Sequence, residues 1–181
     1  MRVMGIDPGY ERLGVAVVER DKNSDILLYS DCLKTSPRLE LSERIFTLGQ
    51  GVGELIKKWK PDALAIEKLF FTTNQKTAMG VSETRGAIIY IARHEDLKIF
   101  EYTPLQIKIA ITGYGKADKT QIISMISKLI KIPNHNKAKL DDEYDAIAVG
   151  ITCLACYRDK YPQQWKKALA KKYSSDKNNY R

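Results

Sequence analysis

Apolar runs in the first third of the chain predict three β-strands. The runs are RVMGID, LGVAVVER and DILLYSDCLKT, and the turn-forming stretches PGY and DKNSD separate them. Short apolar runs bounded by turn residues are typical of strands. Because the connections are short, we expect the three strands to form an antiparallel meander.

Helical periodicity dominates the rest of the chain, interrupted by two more predicted strands, ALAIE and KIFEYT. Apolar residues recur at helical spacing after Leu41, and a second helix is expected at about 76–93. Thr103, followed by a proline, and Asp118 are favoured N-cap residues that predict two further helix starts. The acid-rich stretch DDEYDAIAVGIT opens the last helix. This order predicts an α/β domain with a five-stranded mixed sheet and helices on both faces.

The length of 181 residues indicates one domain with a full core. We expect this domain to span residues 1–157 and to be followed by a basic, partly disordered tail at 158–181. No apolar run of about twenty residues and no secretion signal is found, so we expect a cytoplasmic protein without membrane contact. The three cysteines are too few and too irregular for a disulfide framework.

Charge is distributed unevenly within the net +8. Basic residues outnumber acidic residues by six in 104–139 and again by six in 158–181, whereas residues 140–157 carry four acids and no base. An acidic island between basic segments is typical of a metal site flanked by surfaces that hold phosphates. The alternative is that the lysines only solvate helix faces and the tail.

Four acids occupy positions at the ends of buried elements. Asp7 ends the first strand, Glu67 ends ALAIE, and Asp142 and Asp145 lie three residues apart on the last helix. If ALAIE pairs with the first strand in parallel, the two strand acids become neighbours. Spacing alone allows Asp141 and Asp145 to share a helix face equally well. Converging carboxylates beside a core favour Mg²⁺ or Mn²⁺, which predicts metal-dependent phosphoryl transfer, although each acid alone could be a cap or a surface charge.

Several separate blocks of the chain resemble the RuvC family of Holliday junction resolvases. These are GIDPGYERLGVAVVE, IEKLFFTTNQKTA with ETRGA behind it, TPLQIKIAITGYGKADKTQI, and the pattern DxxDAIAVGI. They are similar to the family in order and spacing over nearly the whole chain, up to about Tyr157. The resemblance implies a ribonuclease H-like fold and a homodimer that nicks four-way DNA junctions in pairs and leaves 5′-phosphate ends. It also implies two Mg²⁺ ions per active site, replaceable by Mn²⁺, a bacterial cytoplasmic setting and a branch-migration helicase complex as partner.

Position by position, the resemblance places the family's four catalytic metal ligands on Asp7, Glu67, Asp142 and Asp145. The D-x-x-D-A register of the family selects Asp142 and leaves Asp141 as an additional acid. The same resemblance therefore implies a choice that the spacing leaves open.

The resemblance also implies DNA-binding residues. Phe70 matches an aromatic that stacks in the opened junction, and Phe71 is an additional aromatic, although both could instead be core residues that finish a strand. Lys108 and Lys119 match lysines near the scissile phosphate, and we count Lys119 as catalytic.

Two further basic residues are weaker candidates for contacts. Lys116 lies in the Gly-Tyr-Gly-Lys turn, whose backbone N–H groups could meet phosphate, although a plain turn between helices is an alternative. Arg85, in ETRGA, is assigned a DNA or dimer contact. The dimer surface is expected on the helix at 76–93, which is rich in alanine and glycine.

Two other functions remain possible from the sequence. The opening block also resembles RuvC-like ribosomal RNA processing nucleases, which lack the IEKLFF block. A non-catalytic junction-binding protein is the other alternative, and it would require a broken set of acids, whereas none of the four positions is replaced here.

Overall fold

The structure is a computed structural model that describes residues 1–21, 24–69, 75–133 and 141–157. Six strands and five helices lie in these ranges. They are β1 (Arg2–Asp7), β2 (Arg12–Arg20), β3 (Asp25–Lys34), α1 (Leu41–Trp59), β4 (Ala63–Glu67), α2 (Gln75–His94), β5 (Lys98–Tyr102), α3 (Pro104–Thr112), α4 (Lys119–Leu129), β6 (Ile130–Lys131) and α5 (Asp141–Cys156). None of these helices is long and apolar enough to cross a membrane. The predicted tail at 158–181 lies outside the described residues.

The strands form one mixed sheet in the order β5-β4-β1-β2-β3-β6. Strands β1, β2 and β3 are antiparallel neighbours, which confirms the predicted meander. β4 pairs with β1 in parallel, from Val3 opposite Ala63 to Ile6 opposite Ile66, and β5 pairs with β4 in the same sense. Because parallel strands end at the same edge of the sheet, the ends of β1 and β4 lie side by side.

The sheet has six strands, so the predicted number of five is wrong by one. The additional strand, β6, pairs in parallel with the start of β3, Ile130 opposite Asp25 and Lys131 opposite Ile26. The sequence pattern assigns Ile130 to the preceding helix, but its backbone is extended, with φ −129° and ψ 140°. The strand depends on pairing with a residue about a hundred positions away, which local periodicity does not reveal.

Helices cover both faces of the sheet and produce two hydrophobic clusters. Helices α3, α4 and α5 pack on one face, and helices α1 and α2 pack on the other. Along β1 the side chains alternate, since Val3 belongs to the α5 cluster whereas Met4 and Ile6 belong to the α1–α2 cluster. Burial on both faces explains why β1 is apolar throughout. By the same alternation, Asp7 falls on the face that α5 covers.

Glycines in the central strands allow α5 to lie directly on the backbone of the sheet. A Cβ atom on Gly5 would stand 2.2 Å from the carbonyl oxygen of Ala146, and one on Gly14 would stand 2.1 Å from that of Asp142. Gly14 is also the antiparallel partner of Asp7. The first turn of α5 is therefore held against the sheet next to the end of β1.

Candidate active site

The two strand acids form the buried part of the site. Burial is the largest cause that raises the pKa of Asp7 to about 7, followed by the charges of Asp145, Glu67 and Asp142. The pKa of Glu67 is also raised to about 7, first by burial and then by Asp145. These interactions require that the four carboxylates lie close together. The structure thus brings together the four acids that the sequence selects.

The N-terminal part of α5 contributes the other two acids, Asp142 in the first turn and Asp145 just after it. Burial raises the pKa of Asp145 most, and the neighbouring Lys119 opposes this effect. Asp142 and Asp141, which spacing alone does not distinguish, differ in the structure. The Asp142 side chain is 22% exposed and its charge acts on Asp7, whereas the Asp141 side chain is 70% exposed. Asp142 therefore faces the cluster and Asp141 lies at its rim.

Lys119 lies at the edge of the cluster because of how α4 begins. Asp118 caps this helix, and its side chain accepts a hydrogen bond of 2.9 Å from the backbone N–H of Gln121. The next residue, Lys119, places its Nζ 3.1 Å from Asp145 Oδ2 and 3.3 Å from Asp141 Oδ2. The predicted catalytic lysine is thus within ion-pair distance of the acids of α5.

A second cation pairs with the acids, and the sequence pattern does not predict it. The guanidinium of Arg12, the first residue of β2, forms an ion pair with Asp142 Oδ2. The buried Cys32 thiol donates a weak hydrogen bond to the same oxygen, with a sulfur–oxygen distance of 3.6 Å. Only the placement of Arg12 beside the Gly14–Asp7 pair in the meander could have suggested this contact.

The carboxylates differ in how their charge is compensated. Within the described ranges, Asp7 and Glu67 form no ion pair, whereas Asp142 and Asp145 each have a cationic partner. In the same part of the chain, no three acidic, histidine or cysteine side chains close around one point as metal ligands do. The donor set nevertheless fits a hard divalent cation, because it consists of oxygen ligands and the two strand acids are costly to ionise without added positive charge.

The other basic residues predicted from the sequence fall into different surroundings. Lys108 lines a small cavity of about 90 Å³ together with Glu67 and Asp145. Lys116 is exposed in the turn after Gly113, which ends α3 with a positive φ of 74°. Phe70 and Phe71 lie outside the described residues.

Arg85 is occupied by protein partners in this structure. Its Nε donates a hydrogen bond of 3.2 Å to the backbone carbonyl of Glu67, and its guanidinium forms an ion pair with Glu101 on the neighbouring strand β5. The residue lies partly buried behind the end of β4. It is therefore placed to hold the backbone of a site acid, a role that the sequence analysis missed.

Comparison with known proteins agrees with this architecture. A family model described as crossover junction endodeoxyribonuclease RuvC matches residues 3–153. A relative of that name from Finegoldia magna is 39% identical over 166 residues, covering 92% of this chain and all of the relative. Another from Desulforamulus reducens is 42% identical over 151 residues, covering 83% of this chain and 91% of the relative.

Solved structures give the same result. Thermus thermophilus RuvC in complex with Holliday junction substrate superposes with a TM-score of 0.79 at 30% identity, covering 85% of this chain and 93% of that one. A yeast mitochondrial Holliday junction resolvase, at 14% identity and a TM-score of 0.66 over 84% of this chain and 77% of that one, shares the fold. The predicted ribonuclease H-like fold is confirmed. The chain belongs to the RuvC family of crossover junction endodeoxyribonucleases.

Proposed function

We propose that this protein is a structure-selective endonuclease that resolves Holliday junctions by paired, symmetric nicks during recombination and repair of DNA. The observation that carries the proposal is the meeting of Asp7, Glu67, Asp142 and Asp145 at one edge of the sheet in a RuvC-family chain. A non-catalytic junction binder has no need of four carboxylates gathered at one edge of the sheet. The intact set therefore favours catalysis.

Two Mg²⁺ ions, with Mn²⁺ as a substitute, are the proposed cofactor. The four acids would hold them, with Asp142 rather than Asp141 as a ligand because Asp142 faces Asp7. When bound, divalent cations lower the pKa of water and stabilise negative charge that develops on the phosphate. Ionised Asp7 and Glu67 would gain the positive charge that their buried positions lack.

The basic residues of the chain have a complementary role in this reaction. Lys119 and Lys108 bring positive charge to the edge of the acid cluster and to its adjoining cavity. They would stabilise the phosphate oxygens while water bonds to phosphorus and the bond to the 3′-oxygen breaks. A proton passes to the leaving oxygen, so the products are a 5′-phosphate and a 3′-hydroxyl. The strand ends orient Asp7 and Glu67, and α5 orients Asp142 and Asp145.

Contacts with junction DNA are proposed for Phe70, Phe71, Lys116 and Arg85. Phe70 and Phe71 follow Glu67 closely in the chain, where an aromatic ring could stack on an unpaired base, a contact worth about 1–3 kcal/mol. Lys116 is exposed and available to phosphate. A DNA contact by Arg85 would first require its ion pair with Glu101 to break. Association with a branch-migration helicase complex stays a prediction from the family resemblance.

A second copy of the chain is the proposed occupant of an apolar groove between α1 and α2. Cutting two opposed strands symmetrically requires two active sites, which a twofold dimer supplies. The groove has a volume of about 690 Å³, and Phe46 and Tyr90 on its walls are 65% and 72% exposed. Large exposed aromatic groups around a concave apolar surface are typical of protein interfaces.

Gly86 offers a clean test of this surface. It lines the groove, and a Cβ atom placed on it would meet nothing within 4 Å. We expect Gly86→Glu to keep the monomer folded and to convert a dimer to a monomer in analytical ultracentrifugation. A Gly86→Glu protein that remains dimeric would exclude this face as the interface.

The proposed function is tested by cleavage of a synthetic four-way junction and of a linear duplex with the same sequence, each with Mg²⁺ and with EDTA. We expect symmetric nicks, confined to the junction, that require Mg²⁺. Tight junction binding without nicks across a panel of sequences and metals would support the binder. Cleavage of RNA instead would support the RNA processing nuclease.

A further inference from the structure

Arg12 pairs with one of the two α5 acids whose charges act on Asp7. Its guanidinium pairs with Asp142 Oδ2, and the same oxygen accepts the hydrogen bond of Cys32. A carboxylate oxygen with a cation and a second donor is already occupied. A divalent cation that uses this oxygen would therefore compete with Arg12.

The backbone of Asp142 lies directly against the strand that carries Arg12. A Cβ atom on Gly14 would stand 2.1 Å from the Asp142 carbonyl oxygen, and Gly14 pairs with Cys32 across the sheet. Both partners of the Asp142 side chain therefore come from the two strands beneath it. The Arg12 side chain is 49% exposed and is free to move toward solvent.

A released Arg12 would present a guanidinium at the rim of a site proposed to bind DNA. Guanidinium binds phosphate oxygens through paired hydrogen bonds and is a favoured partner for nucleic-acid backbones. A phosphate and Asp142 therefore compete for the same group. Binding of one anion by Arg12 frees the other.

We propose that Arg12 is a positioning residue that couples DNA binding to metal binding: it occupies Asp142 in the free protein and transfers to a DNA phosphate in the complex, which frees Asp142 for the divalent cation. The DNA half of this exchange rests on the proposed function, whereas the competition with metal rests on the ion pair alone. Such a transfer gives positive cooperativity between metal and DNA, because each ligand removes the partner that opposes the other.

The test compares Arg12→Gln with the wild type in two binding measurements. Titration with Mn²⁺ without DNA, followed by calorimetry, is expected to show about tenfold tighter binding in Arg12→Gln, within the usual range of coupling between sites. Binding of a four-way junction in EDTA is expected to weaken about threefold or more. The slope of log affinity against log salt should fall by about one, as for loss of one phosphate contact.

Two control variants show whether the opposite changes in Mn²⁺ affinity and junction affinity are specific to Arg12. Arg38→Gln removes an exposed arginine with no ion pair among the described residues and should change neither affinity. Arg12→Lys keeps the charge and should keep Mn²⁺ binding close to the wild type. Circular dichroism and thermal melting confirm that each variant is folded.

A purely structural role for Arg12 would weaken both ligands together, and that result overturns the proposal. Unchanged Mn²⁺ affinity, or tighter Mn²⁺ binding with unchanged junction affinity, overturns it as well. If the wild type binds no junction, the proposed function fails and the DNA half of the exchange fails with it. The Mn²⁺ titration still decides whether Arg12 and the divalent cation compete for Asp142.

Discussion

The strand acids and the helix acids meet in one site but are built differently. Asp7 and Glu67 extend from central strands, are partly buried, and form no ion pair in the described ranges. Asp142 and Asp145 lie near the N-terminus of α5 and are each paired with a cation. The strand pair thus provides acids that are costly to ionise without added positive charge, and the helix pair provides ligands that already have cationic partners. A metal ion relieves the first pair and must compete for the second.

Removing a strand acid should have the largest effect on cleavage. We expect Asp7→Asn to reduce Mg²⁺-dependent junction nicking by about a thousandfold or more, because the acid lies at the centre of the proposed metal site. Junction affinity in EDTA should be unchanged or tighter, since a negative charge is lost. Single-turnover cleavage and a binding titration measure the two effects. Glu54→Gln, which alters an exposed acid on α1, serves as the control, and substantial nicking by Asp7→Asn would contradict the assignment.

The electrostatic cost of the strand acids predicts how stability depends on pH without metal. The pKa of Asp7 is 3.8 when unfolded and about 7 when folded. Between these values the folded state binds more protons, so its free energy of unfolding decreases as pH rises. Asp7→Asn removes this loss, and we expect it to be more stable than the wild type by about 2–4 kcal/mol at pH 8, since one pKa unit corresponds to about 1.4 kcal/mol.

Urea denaturation in EDTA at pH 5 and pH 8 checks this pH dependence. The advantage of Asp7→Asn should be smaller at pH 5, and Mg²⁺ at pH 8 should stabilise the wild type more than the variant. An advantage that is equal at both pH values would show that burial of the Asp7 charge is not its cause.

The position of the helix acids depends on Gly14, and filling that position should separate them from the strand acids. A Cβ atom there would lie 2.1 Å from the Asp142 carbonyl. We expect Gly14→Ala to lower the free energy of unfolding by about 1–3 kcal/mol, as overpacking does. Nicking should fall at least about tenfold, because small displacements of catalytic groups are costly.

Gly53→Ala is the matched control for this substitution, since its Cβ would make an ordinary contact 3.8 Å from Ile91. It lies inside α1 and should be neutral or slightly stabilising. Wild-type nicking and stability in Gly14→Ala would mean that α5 does not require this close approach.

Substitution of Arg85 is expected to have the smallest effect on nicking, and it tests selectively how the backbone of the strand acid Glu67 is positioned. Arg85→Gln removes the hydrogen bond to the Glu67 carbonyl and the ion pair with Glu101. We expect about a tenfold slower nicking rate at saturating enzyme with less than a twofold change in junction affinity. Glu101→Gln, which removes only the ion pair, should be intermediate. A parallel loss of affinity and rate in Arg85→Gln would instead identify Arg85 as a DNA contact.

Local patterns in the sequence predict most of the elements and nominate the candidate acids, although the choice of Asp142 over Asp141 came from the family resemblance. The meander and the caps Thr103 and Asp118 follow from turn, strand and capping chemistry that is encoded within a few residues, whereas the parallel pairing of β4 with β1 was only a condition that the structure meets. The position of Glu67 beside Asp7 follows from that pairing. Acids at the ends of apolar runs are therefore a strong indication of a site.

Features that depend on tertiary packing could not be predicted in this way. The partnership of Arg12 with Asp142 joins residues 130 positions apart and exists because α5 lies on Gly14. A glycine within a strand can indicate close approach of another backbone, so Gly14 is the one feature of the sequence that could have predicted this contact. The strand β6 and the contacts of Arg85 likewise depend on residues distant in the sequence, which the local periodicity of apolar residues does not identify.

The most direct test of the central claim is to locate Mn²⁺ by anomalous diffraction in crystals of the wild-type protein. We expect density in contact with Asp7 and with at least one acid of α5, and Arg12 displaced from Asp142 when Asp142 is a ligand. Mn²⁺ bound only at the exposed rim, by Asp141 without Asp7, would contradict the claim that strand and helix acids form a single metal site.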